Sequence, residues 1–146
     1  MAKILIFKVG IEGLEDKIWR RIEITDRMTV ADLAYTILAS FDSLAYHLYD
    51  IIHTKDRYDC MIEPLDLDDY TFKDAVHTKL RDVDFEKDNT MIMEYDFGST
   101  TTFNITYLES AFLSIDSIIL LIHISILSKL FLSVISYNNK IPSEPL

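Results

Sequence analysis

Apolar side chains alternate along the start of the chain, and then their period changes. "KILIFKV" (3–9) and "KIWRRIEI" (17–24) place hydrophobic residues at every second position, the spacing of strands with one buried face. Gly10 and Gly13 in the intervening "GIEGLED" supply the permissive backbone of a hairpin connection. From Thr29 the period lengthens: Val30, Leu33, Ala34, Ile37 and Leu38 share one helical face and Phe41 closes the stripe. Thr29 with Asp32 three residues later predicts the helix start. "YHLYDII" (46–52) and the shorter "RYDCMI" (57–62) return to strand patterning, and "EPLDLDDY" reads as a polar loop. "TFKDAVHTKL" (71–80) spaces Phe72, Ala75, Val76 and Leu80 as a short helix would. "TMIMEYDF" (90–97) and "TTFNITYL" (101–108) predict a second hairpin, turning at Gly98 and Ser99. This order points to an α+β class, one main helix packed on a largely antiparallel sheet, with the hairpin-helix-strand opening of a β-grasp-like fold.

One residue breaks the alternation. Ile18, Ile22 and Ile24 share a face of the second strand, and Arg20 falls in line with them, while Trp19, Arg21 and Glu23 take the other side. Arg20 either lays its aliphatic stem along the core edge with its head in solvent, or is held in an ion pair, because a buried unpaired guanidinium is strongly destabilising. Asp32 on the helix and Asp96 beside the late turn are the expected carboxylates, in bidentate geometry. Trp19 reads either as a large hydrophobe under a loop or as an exposed anchor for a partner.

The texture changes again near residue 109, which divides the chain into a 1–108 domain and a 109–146 apolar tail. "SAFLSIDSIILLIHISILSKLFLSVISYNNKIPSEPL" is apolar on every side of any helix drawn through it. A membrane span needs about 20 apolar residues nearly free of charge. Asp116 and Lys129 interrupt the run, with His123 between them, and charges in mid-membrane are costly. A membrane role would rest on residues 111–137 alone. The competing readings are a helix that covers a sheet face or pairs with a second copy, and a frameshift product of AT-rich DNA.

Charge sharpens the division. Residues 1–110 carry 12 Lys and Arg against 22 Asp and Glu, a net of −10, whereas residues 111–146 carry two of each. So acidic a domain, with no basic stripe, argues against nucleic acid as a partner. Cys60 is the one cysteine, so no intrachain disulfide can form, which fits a reducing, cytoplasmic setting. The opening "MAKILIFKVG" alternates with lysine and lacks a small-residue cleavage site, so it reads as a strand.

Candidate chemistry is sparse. "DFG" (96–98) stands without the glycine-rich loop and "HRD" of a kinase, so Gly98 serves a turn and Phe97 the core. His47 and His53 could share a strand face near Asp50 and Asp56, but no CxxC or HxxxH spacing supplies a four-ligand zinc site. The acids of "EPLDLDDY" do not fit a calcium loop, since positions six and twelve counted from Asp66 are Thr71 and His77. No GxSxG elbow exists and Cys60 has no evident base partner. No metal, cofactor or catalytic group is nominated.

"IWRRIEITDRMTVADLAYTILASF", "YHLYDI", "RY" and "MEYDFG", in this order, resemble the plasmid pRiA4b ORF-3-like family over residues 3–107. The resemblance implies an α+β fold, a cytoplasmic setting, association with plasmids or mobile elements, and no established activity or cofactor. Its pattern picks out Trp19, Arg20, Arg21, His47, Asp96 and Gly98. Two features depart from it. Ser99 and Thr101 stand where the family carries an acidic residue and a tryptophan, and the apolar tail replaces a polar ending. The reading that results is a small, non-catalytic accessory domain acting through an unidentified protein partner. The alternative is an enzyme or small-ligand binder with a pocket around Arg20, His47 and Asp96.

Overall fold

The computed structural model describes residues 2–60, 70–86 and 88–112. The chain divides into two compact units, residues 1–112 and 113–146, and every described residue belongs to the first. The loop at 63–69, and the tail readings attached to residues beyond 112, lie outside the described residues.

Seven strands form one sheet: β1 (Lys3–Ile11), β2 (Trp19–Thr25), β3 (Tyr49–His53), β4 (Asp56–Asp59), β5 (Thr71–Asp74), β6 (Thr90–Tyr95) and β7 (Thr101–Phe112). Their spatial order is β2-β1-β7-β6-β3-β4-β5. All neighbours are antiparallel except β4 and β5, which run parallel. The helix α1 (Val30–Ser40) has 11 residues, and a three-residue 3-10 turn covers Leu80–Asp82.

The α+β expectation is therefore corrected: the described residues form a mixed, sheet-dominated fold with one short helix among them, and the β-grasp comparison falls with it. The decisive segment is 71–80. Thr71–Asp74 pairs as β5 with β4, and Ala75 N–H extends the ladder to the Asp59 carbonyl at 3.0 Å. The Asp74 carboxylate then accepts from the amides of Val76 and His77 at 2.7 and 3.2 Å. Such local side-chain bonds compete with a helix for the same donors. The carbonyls of Ala75 and Thr78 are also taken, by the amides of Ala31 and Val30 at the start of α1. The first turn of a helix has no internal partners for its amides. What periodicity suggests as a second helix instead completes the first one.

Alternation decides the faces. Leu5, Phe7, Val9, Ile22, Ile24, Ile51, Met91, Met93, Phe103 and Ile105 are buried with Leu33, Ala34, Ile37 and Leu38 of α1 in one core. Where β1 meets β7 the register shifts between Ile6 and Phe7, leaving Leu108 as the extra residue of a bulge.

Candidate functional site

Arg20 lies at the start of β2, where the sheet meets the last turn of α1. Its Nε donates to the Ser40 carbonyl at 3.1 Å, its Nη1 donates to the Trp19 carbonyl at 3.0 Å, and the guanidinium sits 5.0 Å from the Phe41 ring centre. The expected pairing with Asp32 or Asp96 is thus overturned. Asp32 is occupied by the capping box, accepting from Thr29 N–H at 2.8 Å while its own N–H donates to Thr29 Oγ1 at 3.0 Å. The helix has no basic residue in its last turn, and Arg20 brings positive charge to its carbonyl end from the neighbouring strand. Its head is exposed, so neither burial nor a carboxylate is required.

Arg20 thereby fixes the point where the chain leaves α1 for the loop 42–48, which carries His47. The strand expected from Tyr46 begins only at Tyr49. Across from this loop, the turn between β6 and β7 carries Asp96 and Gly98. Asp96 N–H donates to the Leu48 carbonyl at 3.0 Å, Gly98 N–H donates to Asp96 Oδ1 at 3.3 Å, and His47 Nδ1 lies 3.6 Å from Asp96 Oδ1. The His47 ring also meets Tyr95 edge-on at 5.9 Å. Asp42, Ala45 and Asp96 have φ of 57°, 54° and 59°. They are three of the five non-glycine residues in the left-handed region among those described, a conformation that costs free energy and gathers at functional sites.

Four large apolar side chains surround this corner in solvent: Leu44 is 73% exposed, Tyr46 79%, Leu48 47% and Phe97 46%. The core role expected for Phe97 is therefore corrected. Sequence reasoning missed the patch because Tyr46 and Leu48 alternate as a strand face would. The available signal was "DS" after the helix stripe, a turn pair followed by apolar residues with no helical period.

The remaining expected residues lie elsewhere. Arg21 pairs with Glu23 at 2.9 Å on the face away from α1. Trp19 is half exposed beneath the Lys8 ammonium at 5.6 Å, and Lys8, Trp19, Arg21 and Leu108 line a cavity of 280 Å³. The structure therefore joins His47, Asp96 and Gly98, sends Arg20 to α1, and leaves Trp19 and Arg21 on the second face. His53 sits at the far end of β3 from His47, buried, with the Asn89 amide 3.4 Å from its Nε2. Among the described residues, no group of three or more His, Cys, Asp or Glu is placed to hold a metal. Burial pushes the Cys60 thiol up, away from the thiolate a nucleophile needs.

A second polar feature was invisible in the sequence. Asp50 on β3 is fully buried on the face away from α1, paired with Arg57 of β4. Asp59 and Glu94 stand directly opposite it on the two flanking strands. Burial first, and these carboxylates after it, push Asp50 up to about 6 despite the opposing pull of Arg57.

These features define a sheet-based scaffold that presents a strained, apolar loop-and-turn corner. The model of the Plasmid pRiA4b ORF-3-like protein family matches residues 3–114, and the chain belongs to that family. A crystal structure of a protein of unknown function from Methanosarcina mazei Go1 is similar, with a TM-score of 0.65 and 25% identity. The similarity covers 75% of this chain and 62% of that one, so this chain spans less than two thirds of its neighbour's length. No curated protein matches. Among the described residues, no helix is long and apolar enough to cross a membrane.

Proposed function

We propose that this protein is a non-catalytic interaction domain of the cytoplasm, and that its docking surface is the corner built by loop 42–48 and turn 96–99. The observation that carries this reading is the exposure of Leu44, Tyr46, Leu48 and Phe97 around the His47–Asp96 contact. Contiguous exposed hydrophobes with an aromatic centre and a polar rim are the composition of interaction sites. The partner is a polypeptide segment with apolar side chains flanked by Lys or Arg. Asp42 and Asp96 edge the patch, and the first 110 residues carry a net of −10, so a basic segment is drawn in and a second acidic copy repelled. A role beside plasmid or mobile-element machinery is supported by the family description alone. The alternative pocket reading gains no such support, since Arg20 is directed to the Ser40 carbonyl.

A photo-crosslinking residue placed at Tyr46 in the host cell tests the proposal, with the same group at exposed Thr36 on α1 as control. A discrete adduct from position 46 alone, lost when Leu44 and Phe97 are changed to Ser, is expected. The crosslinked peptide should carry both apolar and basic residues. Equal labelling from both positions, or an adduct indifferent to the Ser changes, would remove the corner as the docking surface.

A further inference from the structure

At the opposite end of β7 from the His47 corner, a cavity of 190 Å³ opens between the start of β1, the end of β7 and the 3-10 turn. Asp26 lies in its wall and is only 8% exposed. The backbone around Asp26 is closed on both sides: its N–H donates to the Lys3 carbonyl at 2.9 Å and its carbonyl accepts from Arg81 N–H at 3.0 Å. Its Oδ1 accepts from Lys3 N–H at 3.1 Å, and its Oδ2 has no hydrogen-bond partner among the described residues. A rigidly held carboxylate with one oxygen unused by the protein and not sealed from solvent is free to accept from a donor that enters the cavity.

The other lining groups indicate what kind of donor. Two cations also line the wall, and each has a partner of its own: the Lys3 ammonium lies 5.7 Å over the Phe112 ring and Arg81 Nε 3.8 Å from Asp82 Oδ1. A second carboxylate, Asp84, stands at the same cavity. Phe85 and Tyr107 form a stacked aromatic wall, centroids 5.4 Å apart with 29° between planes. Carboxylate beside aromatic is the pairing that binds ammonium groups, through charge-assisted hydrogen bonds and cation–π attraction. The acidic character of the whole domain raises the local concentration of any such cation. The volume suits a short chain and is well below that of drug-sized pockets.

We propose that this cavity binds a small alkylammonium group, its nitrogen donating to Asp26 Oδ2 and its alkyl chain lying along Phe85 and Tyr107. A free diamine and a lysine side chain share that chemistry, so titration calorimetry on the full chain uses both 1,4-diaminobutane and Nα-acetyl-lysine methylamide, with propionate as control. Saturable 1:1 binding of at least one ammonium ligand, and none of propionate, is expected; the tighter ligand identifies the source. Asp26→Asn keeps an oxygen for Lys3 N–H and should weaken binding about tenfold or more, the worth of a hydrogen bond to a charged group. Asp84→Asn, at an exposed position, should weaken it by a smaller factor, and amide NMR shifts should centre on residues 26, 84, 85 and 107. Absence of saturable binding, unchanged affinity in a folded Asp26→Asn protein, or shifts centred elsewhere would overturn the proposal. Should Asp26→Asn unfold, the Asp84→Asn affinity and the NMR map decide between the same two outcomes.

Discussion

Asp50 and Arg57 show how one residue can stand outside every pattern around it. "DII" and "DRYD" read as ordinary strand, and nothing in their spacing says that Asp50 is fully buried between Asp59 and Glu94. The fact is tertiary: it depends on which strands become neighbours. Its consequence can be measured. The folded Asp50 titrates at about 6, above its ordinary value of 3.8, so the folded state holds the proton more tightly than the unfolded chain. Stability from this group is therefore fully present below about pH 4 and is lost as pH rises through about 6. Asp50→Asn should remove that dependence. In urea unfolding, the difference in free energy between Asp50→Asn and the parent should grow by on the order of 2 kcal/mol from pH 4 to pH 7. A difference that stays level across that window would mean Asp50 titrates normally. Arg57→Met leaves the buried Asp50 carboxylate without its paired guanidinium and should cost about 3–5 kcal/mol at pH 7.

The elements were legible wherever a segment decides its own structure. Thr29 and Asp32 form both bonds of the capping box their spacing predicts, and the β1–β2 hairpin pairs Phe7 with Ile22 and Leu5 with Ile24. Segment 71–80 was not legible, because Asp74 and the unpaired amides of α1 outcompete a weak helical period there. Arg20 was half legible. Its unusual place on the Ile22 and Ile24 face was visible, but its mate is a helix end, a backbone feature that carries no side-chain signature. An 11-residue helix is too short to persist without its ends being satisfied. Arg20→Met should therefore cost about 1 kcal/mol through the lost Ser40 contact, and Thr29→Ala about 1 kcal/mol through the lost cap. The two sites lie at opposite ends of α1, so urea midpoints of the double variant should show additive losses. A loss well beyond about 1 kcal/mol for Arg20→Met would show that the helix end depends on more of Arg20 than its Ser40 contact.

At the scale of the molecule, the sheet is held by a pairing that no local pattern could announce. β1 begins at Lys3 and its neighbour β7 ends at Phe112, so the middle of the sheet joins the two ends of the unit. Such a contact is written in tertiary complementarity, and it closes late because of the chain entropy it must overcome. The same pairing bears on where the domain stops. Composition changes near residue 109, yet Glu109, Ser110, Ala111 and Phe112 lie opposite Ile6, Leu5, Ile4 and Lys3. They follow the Leu108 bulge, which resets the register so that Ser110 faces Leu5. A chain ended after Leu108 strips one side of the first half of β1, leaving it held by β2 alone. A chain ended after Phe112 keeps every pair. With cross-strand pairs contributing roughly 0.2–1 kcal/mol each, the shorter chain should unfold about 1–3 kcal/mol more easily than the longer one. Its amides from Ile4 to Ile6 should also exchange with solvent faster, while those of Phe7 to Ile11 keep their protection. Equal stability of the two would show that the strand beyond the bulge contributes nothing to the sheet, and that the compositional boundary is the structural one.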